Sequence, residues 1–99
     1  MTKTSFYSVM MKDHRKQAVL HHGYSDGTYY YFKNEFDEWH AIHPLNGLSV
    51  GKGYTRKEAV QQAYLPRVQE WFMKQPFDYL KKLSAEFDRL IQEAKQCEQ

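Results

Sequence analysis

Five histidines, a glycine-rich stretch and a lone cysteine are the residues of this 99-residue chain whose types could carry chemistry. The glycine-rich stretch is GLSVGKGYTRKEAVQQA, Gly47 to Ala63. A nucleotide-binding loop needs G-x-x-x-x-G-K-[ST], so that backbone amides wrap phosphates and a hydroxyl reaches magnesium. Here three residues, not four, separate Gly47 from Gly51, and Lys52 is followed by Gly53. The glycines therefore read as turn residues, and Thr55 as a helix cap with Glu58 three positions on. What remains is a smaller expectation: Lys52, Arg56 and Lys57 cluster where a helix start offers free amides, a possible anion-binding group.

The histidines fall into two close groupings, His21-His22 and His40/His43. In a strand, residues one or three apart point to opposite faces, so neither grouping chelates a metal alone. Hairpins folded about Ser25 and about Glu35–Phe36 would set His22, Thr28 and His43 in one row, but no acidic residue completes it. No serine or cysteine stands at a recognisable spacing from a histidine for nucleophilic catalysis. Asp26, Asp37 and Glu38 fall in turns, where a solvated carboxylate is the default. The expectation is a protein without catalytic residues, metal or cofactor.

Gly53-Tyr54-Thr55-Arg56-Lys57-Glu58-Ala59, with the short strand before it, resembles the strand–G-x-T-x-x-E-A–helix element of HicB-like antitoxin domains. The likeness covers roughly Asp26 to Ala63. It implies strands preceding the helix and a toxin-like protein partner to be neutralised. The C-terminal region reads as a plain amphipathic helix, where such antitoxins often have a DNA-binding segment.

Period-2 alternation dominates the first half of the chain. Phe6–Met11, Gln17–His22, Thr28–Phe32, Glu38–His43 and Leu48–Val50 read as strands. Lys12–Lys16 is a polar connection, Gly23–Gly27 a turn segment whose Asp-Gly supplies the positive φ of a tight hairpin, and Lys33–Asp37 and Pro44–Gly47 further turns. After Thr55 the period becomes about 3.6. Ala59, Val60, Ala63, Tyr64, Val68, Trp71 and Phe72 share one stripe, which Pro66 either kinks or restarts. Beyond Pro76, Phe77, Leu80, Leu83, Phe87, Leu90, Ile91 and Ala94 form a last amphipathic helix. The expected fold is α+β: one domain over 1–99, with an antiparallel meander of four to five strands over about 5–50 and two or three helices over about 55–95.

Net charge is +2, from 14 basic and 12 acidic residues, which is too even to imply nucleic acid. Cys97, the single cysteine, excludes an intramolecular disulfide framework. With no apolar run of membrane-spanning length, a soluble cytoplasmic protein is expected.

Assigned to faces, Phe6, Ser8, Met10, Ala18, Leu20, Tyr30, Phe32, Trp39 and Ala41 look like the side against the helices. The second face is neither polar nor aliphatic, and Tyr7, His21, Tyr29, Tyr31 and His40 on it make the expected partner-binding surface. Tyrosine suits such a role because it buries area while keeping a polar tip. A protein partner or a second copy of the chain is the first expectation. An RNA- or DNA-associated accessory role, with bases stacked on that face, is the second.

Overall fold

A computed structural model describes residues 1–97. Five strands, β1 (Thr2–Lys12), β2 (Arg15–Ser25), β3 (Tyr30–Lys33), β4 (Trp39–Ile42) and β5 (Ser49–Gly53), form one antiparallel sheet in sequence order. Three helices follow among the described residues: α1 (Arg56–Ala63), α2 (Pro66–Lys74) and α3 (Phe77–Cys97). The fold is α+β, as the change of period implied. Pro66 starts a second helix, since its ring is preset for the first helical position and lacks only an amide that would have no partner there.

The face assignment needs correction, and the reason lies at Asp13-His14. The five residues expected as a connection are a two-residue turn between paired Lys12 and Arg15, with φ of 50° at Asp13 and 63° at His14. Two left-handed residues are what a tight hairpin of this twist requires, and Asp and His adopt them here without glycine. Phe6 therefore pairs with His21, and Ser8 with Val19. The later hairpins differ in the same way: Tyr24 pairs with Tyr31 and Phe32 with His40. Because side chains alternate with period 2, each one-residue change of register moves a whole strand's residues to the other face. Phe6, Ser8, His21, Tyr30, Phe32, His40 and Ile42 share one face. Tyr7, Ala18, Tyr24, Tyr31, Trp39 and Ala41 share the other.

Each face has its own core cluster. Phe6, Phe32 and Ile42 are buried on the first, with Tyr30 packed against them. Tyr29, Tyr31 and Ala41 meet Ala59 and Ala63 of α1 on the second. The sheet also curls. The Val9 amide on the free edge of β1 donates to the Gly47 carbonyl at 2.9 Å, joining the first strand to the β4–β5 loop. Gly47 has φ +70°, and a Cβ there would lie 2.5 Å from the Phe87 ring of α3.

The glycines of β5 are explained by how closely α1 approaches. A Cβ on Gly51 would lie 2.7 Å from the Ala63 amide nitrogen and 2.9 Å from the Ala59 carbonyl, both backbone atoms that cannot swing aside. We expect Gly51→Ala to lower the unfolding free energy by about 1–3 kcal/mol through overpacking. Urea denaturation measures it, and an unchanged midpoint would show that α1 does not rest on β5.

Candidate functional site

The residues expected to form one partner-binding surface are not brought together. His21 and His40 lie on the Phe32 face, while Tyr7 and Tyr31 lie on the opposite one. Tyr31 is 0% exposed and Tyr29 is also buried, so neither can meet a partner. The cations expected to hold an anion are likewise separated. Lys52 is paired across from His40 and reaches Glu38 at 3.9 Å. Arg56 lies over Tyr24 and Trp39 on the other face, its guanidinium carbon 4.9 and 5.9 Å from the ring centroids. Such contacts are worth about 0.5–1 kcal/mol at an exposed site. The start of α1 already holds a carboxylate: Thr55 accepts from the Glu58 amide at 3.1 Å, and Glu58 accepts from the Tyr54 amide at 3.0 Å. Lys57 is exposed, and no anion cradle is assembled from the three.

Among the described residues no three His, Cys, Asp or Glu side chains converge on a metal position. The structure does form a serine–histidine contact that the assumed register concealed: Ser8 Oγ lies 2.7 Å from His21 Nε2. Ser8 is 1% exposed, so a substrate cannot reach its oxygen. Burial, aided by the charges of His40, His22 and Lys12, lowers the His21 pKa to about 4. A base that weak suits a neutral hydrogen-bonding partner better than a proton acceptor near pH 7.

The helices are seated by a polar knot at Asp26. Its Oδ1 accepts from the Thr28 and Tyr29 amides at 2.9 and 2.8 Å, closing the β2–β3 turn around Gly27. Its Oδ2 accepts from the Tyr31 hydroxyl at 2.7 Å and from the Tyr64 hydroxyl at 2.8 Å. One carboxylate thus ties the turn, the sheet core and the end of α1. Burial alone would raise its pKa, but the bonds from Tyr29, Tyr31, Thr28 and Tyr64 outweigh burial and hold it below 3.8. Burial first, then the Asp26 contact, pushes the Tyr31 phenol far up, so it stays a donor.

Next to this knot lies α2. Gln69 donates to the Tyr29 hydroxyl at 2.9 Å, and the Phe72 ring sits 4.7 Å from that of His43, whose pKa burial lowers. Beyond these contacts no residue of α2 is buried, although its residues divide into an apolar and a polar side. Trp71 is 43% exposed, Met73 83%, and Phe77 at the start of α3 77%. A concavity of about 590 Å³ separates α2 from β5, lined by Leu48, Val50, Val68, Trp71 and Phe72, with Arg67 among its polar members. An apolar concavity of this kind is a candidate contact site. The sequence signal for it was present: Trp71 and Phe72 on a short helix bounded by Pro66 and Pro76 have little sheet left to cover.

Asp26→Ala should leave the buried Tyr31 hydroxyl without its acceptor, at about 1–3 kcal/mol of stability. Thermal denaturation reads this loss, and a melting temperature equal to wild type would refute the knot. The sign for acid follows from the lowered pKa: stability owed to the Asp26 carboxylate is present above 3.8 and is lost as pH falls below it. No family model, curated protein or solved structure matches the chain.

Proposed function

We propose that this protein is a protein-interaction module that self-associates through α2 and the first turns of α3. The supporting observation is the exposure of Trp71 and Met73 on α2, a helix that buries none of its residues, and of Phe77 at the start of α3. Tyr79 and Leu45 are also exposed. An aromatic side chain can bury about 150–250 Å², and a standard interface needs about 800 Å² from each partner. These residues offer area toward such an interface from more than one side of α2, since Trp71 and Met73, two positions apart, lie about 200° from each other around the helix. A second copy is the partner favoured by charge, because +2 over 99 residues imposes little repulsion between copies. In a two-fold dimer the same patch serves both sides, so Trp71 and Phe77 of each copy would meet the partner's equivalents or its cleft.

Burial of Tyr29 and Tyr31 and the separation of Lys52 from Arg56 weigh against bases stacking on an aromatic sheet face backed by cations. Apolar association also differs from nucleic-acid binding in its response to salt, which weakens the latter steeply.

Light scattering at low and high salt should give a dimer in both. Paired substitution of the two most exposed members, Met73→Glu with Phe77→Glu, should weaken the dimer at least ten-fold while leaving the circular dichroism of the folded chain unchanged. A wild-type chain that is monomeric at every accessible concentration would overturn self-association.

A further inference from the structure

The sheet has a seam. β1 and β2 pair along eleven positions, and β3 and β4 along four, but β2 and β3 pair at only Tyr24↔Tyr31 and Ser25↔Tyr30. The β1–β2 hairpin is therefore joined to the rest of the sheet by two residue pairs at one end. Apart from the Val9–Gly47 backbone bond and the close approach of Gly23 to the Tyr31 carbonyl, the joint elsewhere is made of side chains. His21 of β2 stacks on Phe32 of β3 with ring centroids 3.8 Å apart, and Phe32 stacks on His40 of β4 at 5.4 Å. Phe6 of β1 packs beside this column, 6.1 Å from Phe32 and 5.7 Å from His21. Each imidazole is anchored at its edge, His21 to Ser8 at 2.7 Å and His40 to Ser49 of β5 at 3.2 Å. The column thus spans the sheet from its first strand to its last.

The hydrogen bonds around His40 specify its charge. Asn34 Oδ1 accepts from the Phe36 and Glu38 amides at 2.9 and 3.0 Å, so its carboxamide orientation is fixed. What faces His40 Nε2, at 3.2 Å, is then the Asn34 NH2 group, a donor. Nε2 must accept, and a proton there would set donor against donor. Nδ1 carries the hydrogen toward Ser49 Oγ.

We propose that the His21–Phe32–His40 column is an acid-released clasp, which fastens the β1–β2 hairpin to β3–β5 while both imidazoles are neutral and lets it part when they are protonated. Two cations on either side of one phenyl ring would repel each other, and the charged groups around them give little relief. Lys12 on β1 and His22 on β2 add positive charge at His21. On β4 and β5, Glu38 favours the charged form of His40, but Glu38 is also within 3.9 Å of Lys52, which opposes it. From the helices, α1 packs on the Tyr31–Ala41 face, and α3 brings Glu86 to Lys16 at 3.2 Å rather than to either histidine. Burial lowers the pKa of both histidines, that of His21 to about 4. Unfolded or released histidines take up protons from about 6.5 downward while the closed form resists, so closure weakens as pH falls from 6.5 and levels off below about 4. Tyr24 and Ser25 remain as the pivot.

Amide hydrogen exchange on the full chain tests this, with protection factors corrected for intrinsic rates at pH 7 and pH 5. The Val9 amide reports directly, because its acceptor Gly47 lies across the closed edge. Protection at Val9 should fall at least ten-fold at pH 5, while amides of β3, β4 and α1 keep theirs. His40→Gln, whose side-chain oxygen can take the Asn34 bond without titrating, should reduce the pH step. A Val9 protection that is the same at both pH values, or that falls in parallel with β3, β4 and α1, would falsify the clasp. So would a folded His40→Gln chain with the full wild-type step. If that variant does not fold, the wild-type profile decides alone.

Discussion

Everything on the helical side of this protein depends on how closely α1 can lie against the end of the sheet. Gly51, Ala41, Ala59 and Ala63 leave no side-chain volume between helix backbone and strand backbone, and the three alanines are fully buried. That intimacy sets where α1 ends, hence where Tyr64 points and where Pro66 restarts the chain as α2. Interiors are packed at the density of organic crystals, so a single added methyl group at such a contact displaces backbone rather than compressing it. The run of glycines that mimics a phosphate loop in the sequence is here a packing device.

With α1 fixed, the polar knot becomes possible. The Tyr31 and Tyr64 hydroxyls arrive from the sheet and from the end of α1 at the same carboxylate oxygen of Asp26, and Gln69 reaches Tyr29 close by. The buried Tyr31 hydroxyl demands a partner, and Tyr64, itself 45% exposed, shares that acceptor, so one carboxylate ties the end of α1 to the sheet. Trp71 of α2 faces β5 across the concavity and stays 43% exposed.

The order and type of the elements were legible in the sequence because they rest on local signals: the aromatic alternation of Tyr30 to Phe32, the Thr55/Glu58 pair, and the prolines at 66 and 76. Register was not legible, because it turns on whether a connection has two residues or five. Asp13-His14 lacks the glycine that usually announces a two-residue hairpin turn, and one such residue decides the face of every side chain on the strand that follows. The candidate site suffered accordingly. Tyr31 was expected on a surface and is buried, whereas His21 meets Ser8 and Phe32 as no reading of nearest neighbours in sequence foretells. Exposure of Trp71 and Met73 was only partly visible, since an amphipathic stripe does not say whether it has something to cover it.

The bond from Val9 to Gly47 also bears on how much of the sheet's edge is open to another strand. An edge strand of eleven residues is a template on which foreign strands can add, and natural sheets interrupt such edges. In an antiparallel ladder alternate residues turn their amide and carbonyl outward, and Val9 is one of these on β1. Its donor is already taken, and the β4–β5 loop stands over that part of the edge. A docking strand would find an unbroken row of partners only toward Thr2, where Lys3, Thr4 and Ser5 offer it a charged and polar border.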